Sequence, residues 1–225
     1  MSLPLLTRHA KEAFQAGVRA VHPASLMTDT RRKEAEAIMQ HARHVYIATI
    51  GKAAAPWGQW WASWAPVKAG CIIVPEGYAA GTSSSVPTAW QQVEAGHPHP
   101  TEASARAGRL LLDIARSCGR EDLFIIGLSG GGSACTALPP VGVSMQEVQL
   151  LNQLLLEAGC AIDAINAVRK HILQVGGGRL AAAAHPGRVW CQAISDVPGD
   201  DLATIASGPT VGDPTTYDDA ITVLQ

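Results

Sequence analysis

Residues 123–134 read LFIIGLSGGGSA, and they combine the marks of a buried strand with those of a ligand-binding turn. The apolar run from Leu123 to Leu128 has the length of a strand that is buried on both faces. The turn that follows consists of Ser129, Gly130, Gly131, Gly132 and Ser133. Glycine has no Cβ, so such a backbone turns sharply and approaches a ligand closely, and its free N–H groups together with two hydroxyl donors suit an anion. We interpret the stretch as a strand followed by a phosphate-binding loop, with a tight packing turn as the alternative.

The composition indicates an ordinary globular protein. The chain has 225 residues, of which 47% are hydrophobic and 16% are charged, with a net charge of −2. This balance and the lack of a basic run argue against a nucleic-acid surface. No apolar run approaches the ~20 residues that span a bilayer, and the N-terminus carries charges too early for a signal peptide. Five scattered cysteines without a CxxC pair indicate reduced thiols, so we expect a cytoplasmic protein that binds neither nucleic acid nor membrane.

Apolar and β-branched runs alternate with helical periodicity along the chain. We expect strands at 45–50, 71–74, 90–95, 123–128 and 189–195, and helices at 4–21, 31–43, 104–117, 144–157, 160–174 and 179–184. This alternation predicts an α/β fold with a mainly parallel sheet and helices on both faces, a Rossmann-like three-layer domain over residues 1–225. Trp57, Trp60, Trp61 and Trp64 form one helical stripe, which we interpret as packing; a contact between domains or in a homodimer is the alternative.

Each predicted strand ends in a polar or glycine-rich tip. The five tips are Gly51-Lys52, Glu76-Gly77, Gly96-His97, Ser129 to Gly132, and Ser195-Asp196. Ligands of open α/β sheets bind outside the carboxyl ends of the strands, so we expect these tips to form one site.

Several side chains at or near these tips are candidates for phosphoryl-transfer chemistry. Lys52 at a helix start is placed to meet a phosphate or a substrate carboxylate, and the alternative is a surface lysine. Asp196 could hold Mg²⁺ or accept a proton. Asp200 could belong to the same cluster, and the alternative is that it lies in a solvated acidic turn. Arg169 could clamp an anion or lie on a helix surface, and His97 is either an acid/base group or a turn residue. A Walker GxxxxGK[ST], the protein-kinase motif set and GxGxxG are all absent from the sequence.

The chain resembles the class II glycerate kinases (the glycerate 2-kinase family) over its whole length. The resemblance rests on seven ordered blocks: GKAA at 51–54, GHPHPTEAS at 96–104, LSGGGSA at 128–134, INAVRKH at 165–171, GGRLA at 177–181, SDVPGDD at 195–201 and IASGPTVGDPTT at 205–216. It implies ATP-dependent phosphorylation of D-glycerate with Mg²⁺ on a Rossmann-like domain. The expected product is 2-phosphoglycerate, with the 3-phosphate as the alternative.

The resemblance also implies roles for individual residues. Lys52 is similar to the family's active-site lysine, and Asp196 to the aspartate that serves as base or metal partner. Residues 129–133 match the nucleotide-phosphate loop. The family's conserved helix implies that Asn166, Arg169 and Lys170 face the cleft.

The sequence departs from the family pattern in three ways. Thr101 stands where the family usually has aspartate, while Leu173 and Gly176 stand where it usually has serine and lysine. Family members are about twice as long, so we expect their C-terminal domain to be absent here and this chain alone to have little or no kinase activity. Two other functions stay open: reduction of hydroxypyruvate, a name that some members carry, and non-catalytic binding of a nucleotide or sugar phosphate.

Overall fold

The computed structural model describes residues 3–79 and 87–225, which fall into two compact units, residues 1–40 and 41–225. The sequence of residues 78–88 is rich in Gly, Ser and Thr and predicts a loop, part of which lies outside the described residues. The first unit contains the helices α1 (Leu3–Val21), α2 (Pro23–Leu26) and α3 (Asp29–Met39).

The second unit is built on a five-stranded, wholly parallel sheet. Its strands are β1 (Val45–Ile50), β2 (Val67–Pro75), β3 (Trp90–Ala95), β4 (Leu123–Ser129) and β5 (Arg188–Ile194). They lie in the order β3-β2-β1-β4-β5, and every neighbouring pair is parallel. Each residue of β1 and β4 is buried, as expected for central strands that are covered on both faces.

The second unit also contains seven helices and a 3₁₀ turn among its described residues. They are α4 (Ala54–Ala62), α5 (Glu102–Arg116), α6 (Gly132–Cys135), α7 (Met145–Glu157), α8 (Ile162–Ile172), α9 (Arg179–Ala184), the 3₁₀ turn (Ile205–Ser207) and α10 (Tyr217–Val223). Local sequence explains two of the starts: the Thr101 N–H donates to Ser104 Oγ before α5, and the Ser144 N–H donates to Glu147 Oε2 before α7.

The two faces of the sheet carry different cores. Alternate residues of β1 and β4, such as Ile50 and Phe124, pack in one core with Leu111 of α5. On the α4 side, Trp57 and Trp61 are fully buried, and a Cβ at Gly127 of β4 would lie 3.1 Å from the Trp57 ring. The Trp61 ring also meets Trp190 of β5 edge-on at 6.3 Å. Trp57 and Trp61 of the stripe therefore pack within the domain as predicted, whereas Trp60 and Trp64 are only half-buried.

The strand order places the crevice of the sheet between β1 and β4. The chain runs outward from β1 to β3 on one side and from β4 to β5 on the other, so the connections diverge above this pair. The α/β fold with a parallel sheet is therefore confirmed. In the part of the chain that the structure describes, no helix has the length and apolar character needed to cross a membrane.

Candidate functional site

Hydrogen bonds join the tips of β1 and β4 into one unit. The Lys52 N–H donates to Gly130 O at 2.9 Å. The hydroxyl of Ser129 donates to Ile50 O at 2.9 Å and accepts from the Ala53 N–H at 3.0 Å. Since Ser129 directs its only proton to the backbone, it braces the two tips and has no proton left for a ligand, in contrast to the donor role predicted from the sequence.

The glycine loop is in contact with the side chains of the other tips. A Cβ at Gly130 would overlap the carboxylate of Asp196, and a Cβ at Gly131, whose φ is +90°, would lie 2.9 Å from His97 Cδ2. Both glycines are therefore needed for room, and the second also for its left-handed backbone. The loop, the carboxylate and the imidazole form one surface at the carboxyl ends of β3, β4 and β5.

Lys52 and Asp196 face each other across this surface. Lys52 Nζ lies 4.0 Å from Asp196 Oδ2, and the two side chains are 44% and 57% exposed. A pair that is this long and this open contributes little to stability. Both charges thus stay available to a ligand.

His97 is the third polar group of this surface. Partial burial lowers the pKa of its imidazole, and the positive charge of Lys52 lowers it further, while Asp196 acts in the opposite direction. The ring is therefore neutral at pH 7, with one nitrogen to donate and one to accept a hydrogen bond.

The turn after β4 presents backbone N–H groups. α6 begins at Gly132, and Gly131 before it adopts a left-handed conformation (φ +90°, ψ −8°). The Cys135 N–H returns to Gly131 O at 3.2 Å, whereas the N–H groups of the first helical residues have no acceptor within a helix. This arrangement suits a bound anion.

A chain of polar side chains connects the loop to α8. Ser133 Oγ lies 2.7 Å from Ser207 Oγ, and the Ser207 hydroxyl donates to Asn166 Oδ1 at 3.3 Å. Asn166 and Ser207 are both buried. The structure thus brings the predicted Asn166 into indirect contact with the glycine loop.

Arg169 and Lys170 have partners within the fold. Arg169 Nε donates to Asn152 Oδ1 of α7 at 2.7 Å, and burial lowers the pKa of its guanidinium. Lys170 Nζ lies 2.9 Å from Asp213 Oδ1, and these side chains are only 5% and 14% exposed. Burial raises the pKa of Asp213, but hydrogen bonds from Lys170 and Thr215 outweigh it, so the pKa lies below its ordinary value. Both cations of α8 are therefore paired with side chains of the fold next to the site.

The residues present fit a Mg²⁺ ion only in part. Asp196 is exposed beside the glycine loop, and Asp200 lies on the same turn with φ +53°. Within residues 3–79 and 87–225 there is no group of three His, Cys, Asp or Glu side chains that would hold a metal by itself. Mg²⁺ commonly binds one or two carboxylates and completes its shell with waters and substrate phosphates, which is compatible with Asp196.

Ser207 and Asp213 were not among the residues predicted from the sequence. Both lie in the segment 205–216, which reads as turns, and Ala206 and Ser207 adopt positive φ values of 51° and 60°. Asn166 and Lys170 are four residues apart on one helix face, and both are buried. Buried polar side chains need polar partners, but the spacing of these two residues does not indicate which residues the partners are.

The positions that depart from the family pattern have structural roles. Thr101 is the N-cap residue of α5, where its backbone N–H donates to Ser104 Oγ, and Leu173 is buried in the core shared with α5. A Cβ at Gly176 would lie 2.9 Å from Ser207 O, so the observed backbone leaves no room for a lysine there.

Comparisons with known proteins place the chain among known relatives. The model of a family described as a domain of unknown function, DUF4147, matches residues 9–225. The D-glycerate 2-kinase of Thermotoga maritima is 34% identical over 224 residues, covering 98% of this chain and 51% of that protein. A putative hydroxypyruvate reductase of Agrobacterium vitis is 38% identical over 178 residues, covering 69% and 46%.

A solved structure shares the fold. The crystal structure of glycerate kinase from Thermotoga maritima superimposes with a TM-score of 0.81 at 34% identity, covering 98% of this chain and 51% of that one. The chain spans about half the length of the curated relatives that it matches.

Proposed function

Because this chain belongs to the DUF4147 family, within the class II glycerate kinases, we propose that it takes part in the ATP-dependent phosphorylation of D-glycerate. Its contribution is the edge at the carboxyl ends of β1, β3, β4 and β5. One observation supports this most directly: Lys52 Nζ and the Asp196 carboxylate lie 4.0 Å apart, with that carboxylate against the glycine loop. A cation, an anion and a turn of free N–H groups at one place are what phosphoryl transfer requires.

The proposed reaction uses these groups as follows. A hydroxyl oxygen of glycerate attacks the γ-phosphorus of ATP, its proton passes to Asp196, and the bond from that phosphorus to ADP breaks. Lys52 stabilises the negative charge of the transferred group or the glycerate carboxylate. Neutral His97 donates one hydrogen bond to the substrate, and the N–H groups of residues 131–133 hold a phosphate.

Mg²⁺ is proposed at the same edge. Asp196 would hold it, with Asp200 as a second carboxylate, and the ion would neutralise charge on the phosphates. Proton acceptance and metal binding are thus alternative roles for Asp196. We expect 2-phosphoglycerate as the product, with transfer to the 3-hydroxyl as the alternative.

The test is ADP release that depends on D-glycerate, measured on the full-length protein with Lys52→Met and Asp196→Asn variants. We expect both variants to lose at least ~100-fold in turnover, and ³¹P NMR of the product identifies the phosphorylated hydroxyl. Lys68→Met is the matched control, because Lys68 belongs to the amino-terminal part of β2, next to the Tyr46 ring. The proposal would be contradicted if ADP were released at the same rate without glycerate, or if Lys68→Met lost as much turnover as the two site variants.

Reduction of hydroxypyruvate is the second candidate, and it rests on the name of the Agrobacterium vitis relative. The turn after β1 reads GKAAA and lacks the GxGxxG loop that cradles a dinucleotide pyrophosphate. Hydroxypyruvate-dependent oxidation of a reduced nicotinamide, followed by its near-ultraviolet absorbance, would favour this candidate. Binding of ADP to the full-length protein without any turnover would instead favour a non-catalytic module.

A further inference from the structure

The hydroxyl chain behind the glycine loop can carry its protons in one of two directions, because either serine can donate in the 2.7 Å bond between Ser133 and Ser207. A serine hydroxyl has one proton and two lone pairs. When Ser207 gives its proton to Asn166 Oδ1, which lies 3.3 Å away, the bond between the serines uses the proton of Ser133. In that arrangement Ser133 is the donor within the protein, and its remaining lone pair is what a ligand at the loop meets.

The backbone around Ser207 holds this hydroxyl in place. Ser207 has a φ of +60°, which is unfavourable for a residue with a Cβ, and its carbonyl accepts from the Gly177 N–H at 2.9 Å. The preceding residue, Ala206, is also left-handed and lies against Gly132 of the loop. A strained conformation persists only where surrounding contacts enforce it, so the Ser207 hydroxyl is fixed relative to the loop.

We propose that Ser207, oriented by Asn166, is a positioning residue that makes Ser133 an acceptor toward the ligand. A hydroxyl oxygen with an inward proton binds the divalent cation that accompanies nucleotide phosphates, not a phosphate oxygen. This inference rests on the proposed function, because it requires a nucleotide at the glycine loop. It reverses the donor role that the sequence suggested for Ser133.

The experiment measures ADP affinity by calorimetry, once with Mg²⁺ and once with EDTA, for wild type, Ser133→Ala and Ser207→Ala. We expect both variants to lose about tenfold or more with Mg²⁺, the size of effect typical for residues that orient metal ligands. With EDTA we expect them to bind ADP like the wild type. Equal losses in both conditions would mean that Ser133 donates to a phosphate, and would overturn the proposal.

Matched variants separate this role from a loss of stability. Ser207→Gly removes the same hydroxyl but fits the positive φ, so it should melt at a higher temperature than Ser207→Ala. The two should nevertheless show the same loss of Mg²⁺-dependent affinity. The proposal would be overturned if Ser207→Gly, the variant with the higher melting temperature, lost clearly less affinity than Ser207→Ala. Ser117→Ala is the control, because the Ser117 hydroxyl donates to Asp113 O at the end of α5.

The outcomes also separate this inference from the proposed function. A full-length wild type that binds ADP with the expected Mg²⁺ pattern but does not phosphorylate glycerate supports the inference and refutes the function. Glycerate phosphorylation with an unchanged Mg²⁺ pattern in Ser133→Ala and Ser207→Ala refutes the inference alone. A wild type that binds no ADP in either condition overturns both.

Discussion

Replacement of Asp213 by asparagine should strongly destabilise the protein. The change keeps the size of the side chain and an acceptor for the Thr215 N–H and hydroxyl, but it removes the charge that faces Lys170 at 2.9 Å. Lys170 is 5% exposed, so water cannot replace the lost partner. Breaking a buried ion pair in this way typically costs about 3–5 kcal/mol of unfolding free energy.

Urea unfolding at neutral pH, followed by circular dichroism, measures this loss of unfolding free energy. The double variant Asp213→Asn with Lys170→Met removes both charges, so we expect it to be more stable than Asp213→Asn alone. A loss below about 1 kcal/mol for Asp213→Asn, which is the size of a surface pair, would refute the reasoning. So would a double variant that is no more stable than the single one.

Three further predictions follow from the geometry. Gly130→Ala should displace the Asp196 carboxylate and abolish glycerate-dependent turnover of the full-length protein. Gly17→Ala should leave turnover unchanged, because no atom of the described residues lies within 4 Å of the new Cβ. Normal turnover in Gly130→Ala would contradict the close contact. Asp196→Asn should lower kcat by ~10²–10⁴-fold, because it removes the proposed proton acceptor. An unchanged kcat would exclude the proton-accepting role. Burial raises the pKa of Asp122. The backbone N–H of Gly119 and the imidazole of His44 lower this pKa by more, so that it lies below its ordinary value. Its stabilisation is therefore present above the unfolded pKa and is lost as the pH falls below ~3.8. Asp122→Ala should lower the melting temperature at pH 7 but not in acid. If the difference in melting temperature between the variant and the wild type is the same at both pH values, the ionised Asp122 carboxylate does not stabilise the fold.

The framework of the fold was predictable because its strands are apolar runs of the right length. The prediction for residues 90–95 has the same bounds as β3, and that for 45–50 the same bounds as β1. β2 begins earlier than predicted, at Val67, because its first residues alternate between half-buried and exposed and so lack a continuous apolar run.

The site was predictable where it depends on strand tips and not where it depends on distant loops. Parallel strands bring their carboxyl ends to one edge, so Lys52, His97 and Asp196 could be grouped from sequence. Ser207 lies 41 residues from its partner Asn166, in a segment without periodicity, so no local pattern indicated their contact. Arg169 and Lys170 have motif positions typical of ligand contacts, yet the partners that bind them come from α7 and the segment after the 3₁₀ turn.

The close packing between tips constrains how this site can be redesigned. The space beside Gly130 is occupied by Asp196, and that beside Gly131 by His97, so a larger residue at either position requires a compensating change on another strand. Gly77, two residues after β2, differs, because no atom of residues 3–79 or 87–225 lies within 4 Å of a Cβ there. Its φ of +80° favours asparagine among the larger residues. Libraries aimed at altered substrate specificity should therefore vary position 77 alone and the tips of β3, β4 and β5 in combination.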